Sequence, residues 1–136
     1  MQTREIGNDT VGRVTVGAVG LGLMTFDQTG AQPREQLLDT VRAALDAGVT
    51  LFDTADAYGP GEEKGAGAQG ENERLIASLL AELGVRDQVF LATKVSPEHL
   101  RTADVLRAAD RSLQRLGVDW IDLYQVHWPN ASIPIE

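Results

Sequence analysis

Cysteine is absent from the 136-residue chain, which excludes a disulfide framework, a thiolate metal site and a cysteine nucleophile. Aromatic residues are scarce at 5%, so a core has to be assembled from leucine, valine, isoleucine and alanine. Basic residues are outnumbered: 12 Lys and Arg against 20 Asp and Glu leave a net charge of −8. A chain of that sign repels phosphate backbones and anionic lipid, so neither nucleic acid nor a membrane is an expected partner. No apolar run approaches the length of a transmembrane helix, and Met1-Gln2-Thr3-Arg4-Glu5 lacks the basic-then-apolar pattern of a signal peptide. Of the two histidines, His99 has no partner at ligand spacing and reads as solvated, and His127 stands alone, so no metal site is expected. What is present, 43% hydrophobic and 24% charged, is the composition of a globular domain. The expectation is one soluble, cytoplasmic, acidic domain.

Three amphipathic patterns predict helices over about Arg34–Ala47, Asn72–Leu83 and Thr102–Leu116. Pro33 and Gly48 bracket the first, Gly84 stops the second, and the third has Thr102 as its expected N-cap and Gly117 after it. Its apolar stripe is Val105, Leu106, Ala109, Leu113 and Leu116. Between the helices lie short apolar runs, Ala18–Leu21, Thr50–Phe52, Val89–Thr93 and Ile121–Val126, which read as buried parallel strands. Thr3–Gly7 and Arg13–Thr15 flank Asn8-Asp9-Thr10 as a leading hairpin. Alternation of this kind predicts an α/β fold, a parallel sheet with crossover helices. Gly59–Gly70 has no hydrophobic period and lacks the ending of a phosphate loop, so it reads as a mobile loop. Gly20-Leu21-Gly22 falls short of a dinucleotide fingerprint, because Thr25 stands where the third glycine belongs.

The strand ends carry the chemistry. Asp53, Lys94 and His127 each directly follow a predicted strand, and Tyr58 lies on the loop five residues after Asp53. The carboxyl ends of parallel strands converge on one rim in a closed barrel and line the ligand crevice in an open sheet. Taken singly, Asp53 could cap a turn, Lys94 could be solvated, Tyr58 could anchor a loop and His127 could be a packed histidine. Together, a carboxylate, an ammonium, a phenol and an imidazole form an acid–base set suited to protonating a carbonyl oxygen. A phenol is a weak acid at neutral pH, an adjacent ammonium favours its anion, and the carboxylate aims the ammonium. None of the four supplies a hydride, so a reduction needs a nicotinamide cofactor. A Schiff base on Lys94 is an alternative chemistry, but it leaves the Asp53–Tyr58 spacing without a role.

These segments resemble those of the aldo-keto reductases. Phe52-Asp53-Thr54-Ala55-Asp56-Ala57-Tyr58-Gly59 is similar to that family's Asp-Thr-Ala-x-x-Tyr-Gly segment, and Ala92-Thr93-Lys94 to its lysine strand. Asp119-Trp120-Ile121-Asp122-Leu123-Tyr124-Gln125-Val126-His127-Trp128-Pro129 resembles the segment carrying its histidine, and Val19–Phe26 resembles its first barrel strand. The resemblance implies an NADPH-dependent oxidoreductase of the TIM-barrel type that reduces aldehydes or ketones, with a small carbonyl compound as substrate. It implies Tyr58 as general acid, Lys94 as its partner, Asp53 as the paired carboxylate and His127 as the carbonyl-orienting residue. It further implies Gly22, Leu23, Met24 and Asp53 against the cofactor, and Phe26, Tyr58, His127 and Trp128 against the substrate. A (β/α)₈ barrel takes about 250 residues, so residues 1–136 are expected to form its N-terminal part: a leading hairpin and four βα strands, a half barrel. Its two strand edges and bare sheet face invite self-association. The alternative expectation is a truncated or assembly-dependent half barrel without activity of its own.

Overall fold

In the computed structural model, which describes residues 1–26, 31–59 and 70–134, the chain opens with an antiparallel hairpin of β1 (Thr3–Asn8) and β2 (Gly12–Gly17). Asn8 builds its turn: the side-chain Oδ1 accepts the N–H groups of Thr10 (2.9 Å) and Val11 (3.1 Å). The strands consequently reach further than expected. Asn8 still pairs with Gly12, and only Asp9, Thr10 and Val11 form the loop. The hairpin docks below the main sheet, where the Gly17 N–H donates to Thr50 Oγ1 at 3.0 Å. A Cβ at position 17 would lie 2.5 Å from the Gly48 carbonyl oxygen, so this approach requires glycine.

The main sheet has four parallel strands in the order β3 (Gly20–Gly22), β4 (Leu51–Asp53), β5 (Phe90–Val95) and β6 (Leu123–Val126). Between them run α1 (Arg34–Asp46), α2 (Glu71–Leu83) and α3 (Thr102–Leu116). The βα alternation read from the sequence is thus present. The strands start one or two residues further along than their apolar runs, and β4 and β5 also end one or two residues later, so Asp53 and Lys94 lie inside strands instead of after them. Inward-facing polar residues break the apolar run of a strand but not its hydrogen-bonded ladder. The expected loop at Gly59–Gly70 falls largely on residues 60–69, outside the described residues.

Period-two alternation divides each strand between two faces. Phe52 and Leu91, both 0% exposed, pack outward with Leu37, Leu38, Val41, Leu75, Ile76, Leu79 and Leu80 of the helices. Burying one such leucine contributes about 1.5–3 kcal/mol. Asp53, Lys94 and Gln125 take the other face and meet there. Positive-φ glycines close α2 and α3, Gly84 at 65° and Gly117 at 64°.

Two helix expectations are corrected. Thr102 is the first helical residue and Arg101 is the N-cap, with no side-chain cap bond; the Arg101 carbonyl accepts Asp104 N–H and Val105 N–H and starts the helix through backbone alone. The buried face of α3 is Ala108, Ser112 and Leu116, while Leu106 of the expected stripe is 64% exposed. The face that packs on α2 carries the small side chains of Ala108 and Ser112, with Arg115 reaching Glu73, and Leu106 lies off that face. Among the described residues no helix is long and apolar enough to cross a membrane.

Candidate active site

The parallel register sets the depth of each functional group. Asp53 ends β4 opposite Ala92, and Lys94, two residues on, lies opposite Gln125 of β6. His127 follows β6 directly, with its N–H held by the Val95 carbonyl at 3.0 Å. Tyr58 returns over the rim because the β4 loop turns tightly: its N–H donates to the Ala55 carbonyl (3.2 Å), and Asp56 N–H to the Lys94 carbonyl (3.1 Å). The structure therefore brings together the three residues that the sequence placed at strand ends and the tyrosine it placed on the loop after the first of them.

Lys94 Nζ uses all three of its hydrogens. It lies 2.6 Å from Asp53 Oδ2, 2.8 Å from the Thr54 carbonyl and 3.2 Å from the Tyr58 hydroxyl. It also stands 4.8 Å from the centre of the Tyr58 ring. Asp53 Oδ1 accepts Gln125 Nε2 at 3.1 Å, which fixes the carboxylate from the far side. The phenol lies 3.4 Å from His127 Nε2, with the two rings edge to face at 5.3 Å. Burial holds the His127 imidazole below its ordinary pKa, and the Lys94 ammonium pushes it the same way, outweighing Asp56 and Asp53. His127 is accordingly neutral at pH 7. With its hydrogen on Nδ1 it accepts from Tyr58; with the hydrogen on Nε2 it donates toward the phenolic oxygen.

The remaining candidates are spread around this group. Gly22 ends β3 opposite Asp53, and the space its missing Cβ would fill is open. Leu23 is 0% exposed, with its N–H on the Asp53 carbonyl at 2.9 Å, so it meets the rim through backbone alone. Met24 is 62% exposed, and Phe26, at 5%, packs into the core. Trp128, half exposed, lies tilted at 49° against His127 with ring centres 4.4 Å apart.

Sequence reading passed over several supporting residues. Gln125 could have been found by alternation, since it shares a strand face with His127 two residues on. Asn72 and Glu73 stand out only as polar residues that open an apolar helix, yet they are 1% and 0% exposed. Glu73 accepts Thr93 Oγ1 (2.7 Å) and Arg115 Nε (2.6 Å). Asp56, also buried, accepts the Ser96 hydroxyl and Ser96 N–H. His99, expected in solvent, instead lies partly buried with Nδ1 3.9 Å from Asp56 Oδ2, because the turn Pro97–His99 folds it back over β5.

Residues 18–136 match the model of the aldo/keto reductase family. Aldo-keto reductase YhdN of Bacillus subtilis is 38% identical over 133 residues, covering 90% of this chain and 38% of its own length. A Schizosaccharomyces pombe aldo-keto reductase described with NADP(+) is 36% identical, covering 98% of this chain and 38% of its own. Among solved structures, an aldo/keto reductase of Klebsiella pneumoniae in complex with NADP and acetate superposes with a TM-score of 0.70 at 36% identity, covering 86% of this chain and 37% of that one. The thermostable aldo-keto reductase Tm1743, in complex with the inhibitor epalrestat, gives 0.75 at 33% identity, covering 98% and 45%. The chain spans about two fifths of the length of the curated relatives it matches, and its parallel sheet corresponds to part of their barrels. With three motifs in order, a family match over residues 18–136 and relatives of this similarity, the chain belongs to the aldo/keto reductase family.

Proposed function

We propose that this chain carries the proton-donating machinery of an NADPH-dependent reductase that converts aldehyde or ketone carbonyls to alcohols. One observation carries the reading: the Tyr58 hydroxyl lies between an ammonium at 3.2 Å and a neutral imidazole at 3.4 Å. The residues present fit a nicotinamide cofactor at this rim. Gly22 leaves the approach open, and Asp53, with a side chain 29% exposed, has lone pairs left for a ribose hydroxyl after accepting Lys94 and Gln125. Met24 offers an exposed flank on the same loop. Bound there, the cofactor supplies the hydride to the carbonyl carbon.

The protein's own residues perform the other half of the reaction. The carbonyl oxygen lodges against Tyr58 and His127, with Trp128 beside it. As negative charge gathers on that oxygen, Tyr58 gives up its proton and the new O–H bond completes the alcohol. Charge left on the phenolic oxygen is stabilised by Lys94, which Asp53 and the Thr54 carbonyl hold in place. His127 orients the carbonyl and adds no positive charge, because its surroundings keep it neutral. Tyr58→Phe tests the assignment: aldehyde-dependent NADPH oxidation falls by orders of magnitude while NADPH binding persists. Near-normal turnover by that variant would refute it.

The share of its relatives that the chain spans favours a second reading, in which the acid–base group is assembled but cofactor binding needs a partner. Titration of NADPH into the purified chain separates the two. Micromolar binding with carbonyl-dependent oxidation removes the second reading.

A further inference from the structure

Asn72 sits at the start of α2, 1% exposed, between the loops that leave β3 and β4. Its Oδ1 accepts the Thr54 hydroxyl at 2.6 Å. Its Nδ2 donates to the carbonyls of Leu23 at 2.8 Å and Phe26 at 2.5 Å. Its backbone N–H donates to the Tyr58 carbonyl at 3.1 Å. One residue thus grips both loops. On one side is the segment that carries the phenol, together with Thr54, whose carbonyl receives Lys94. On the other is Leu23–Phe26, which carries exposed Met24.

An amide whose oxygen is engaged by a hydroxyl and whose hydrogens are engaged by two backbone carbonyls cannot rotate without losing bonds, and a buried group that loses bonds has no water to replace them. Asn72 bears no charge, so its influence on the site is geometric. We propose that Asn72 is the positioning residue of the site: it sets the separation of the Tyr58 loop from the Leu23–Phe26 segment, and thereby the register in which substrate and cofactor meet the Tyr58 hydroxyl. This inference rests on the reductase reading above. Misplacement of a reacting group by about 1 Å costs about 100-fold in rate, which sets the size of the expected effect.

The test uses the full chain, NADPH and para-nitrobenzaldehyde as probes, and the variants Asn72→Ala, Thr54→Val, Thr54→Ser and Tyr58→Phe. Asn72→Ala is expected to lower kcat by about 100-fold and to weaken NADPH binding. It is also expected to raise the His127 titration seen by NMR toward that of free imidazole, because the Thr54 segment, released from the Asn72 side chain, lets the Tyr58 loop shift and the ring lose burial. A role confined to folding would lower the urea midpoint and leave His127 where it is in wild type. Thr54→Val, which removes only the hydroxyl on Asn72, gives a smaller change in the same direction, and Thr54→Ser restores wild-type behaviour. This second pair decides the matter if Asn72→Ala does not fold. An unmoved His127 titration in folded Asn72→Ala, or in Thr54→Val where that is the variant available, overturns the proposal. If Tyr58→Phe turns over like wild type, or wild type does not oxidise NADPH with the aldehyde, the reductase reading fails instead. The His127 titration then still decides the role of Asn72.

Discussion

Two carboxylate–cation pairs flank β5, one on each face, and both close to 2.6 Å: Asp53–Lys94 inside and Glu73–Arg115 outside. Their surroundings separate them. The Glu73 side chain is 0% exposed and Arg115 10%, against 29% and 14% for Asp53 and Lys94. The outer pair uses a planar guanidinium of fixed charge, braced by Thr93 and Ser112. The inner pair uses a lysine, a point charge with a third hydrogen to spare for Tyr58. A tyrosine stands near each. Tyr58 has two hydrogen-bonding partners on its hydroxyl, whereas the Tyr124 hydroxyl is buried with none among the described residues. Burial, and then Asp56 and Glu73, push the Tyr124 hydroxyl up to about 12. Equal ion-pair distance therefore says little about role; access to the rim and the neighbours of the phenol decide it.

The largest expected effect breaks the inner side. Tyr58→Phe lowers aldehyde-dependent NADPH oxidation by about 100- to 10,000-fold with little change in the urea unfolding midpoint, the signature of a lost general acid. Glu73→Gln does the reverse. It leaves Arg115 unpaired in a nearly sealed site and lowers unfolding free energy by about 3–5 kcal/mol, with kcat of the folded protein unchanged. If Glu73→Gln instead cost rate and left stability alone, the division between the two faces would be wrong.

Smaller effects sharpen the contrast. Tyr124→Phe removes a hydroxyl without a partner, so stability rises or stays level and activity is kept. In an ultraviolet pH titration of wild type, one of the two tyrosines should ionise only near pH 12. The unfolded chain loses that proton at its ordinary value of 10.0, so between those pH values it binds fewer protons than the folded chain and stability falls as pH rises. His127 has the opposite pH window. Its folded pKa lies below the ordinary 6.5, so on acidification the unfolded chain takes up the proton first, and this contribution to stability is lost as pH falls below 6.5. The pH-dependent difference between wild type and His127→Gln isolates it. Smallest is Arg34→Ala, which breaks an exposed pair with Glu82 and should cost no more than about 1 kcal/mol in urea unfolding.

Much of the inner site was legible because it follows from alternation. Asp53, Lys94 and His127 end or follow apolar runs, and parallel strands bring such positions to a common rim whatever the details of packing. The residues behind the site were not legible for the same reason. The side chains of Asn72, Glu73 and Asp56 make their bonds to positions 18 to 49 residues away, and nothing in their neighbourhoods along the chain signals those partners. Leu106 misled because a leucine at helical spacing predicts burial, while the close approach of α3 went through Ala108 and Ser112.

The amino-acid order alone determined the βα alternation, the glycine stops of the helices and the placing of three chemically distinct groups at strand ends with a phenol on the loop after one of them, since each of these is a local consequence of periodicity and backbone preference. Tertiary structure decided which ion pair lies open and which is sealed, which tyrosine has partners, and which buried amide ties the loops together. Those outcomes depend on distances between segments remote in the chain, and packing sets such distances while local sequence does not.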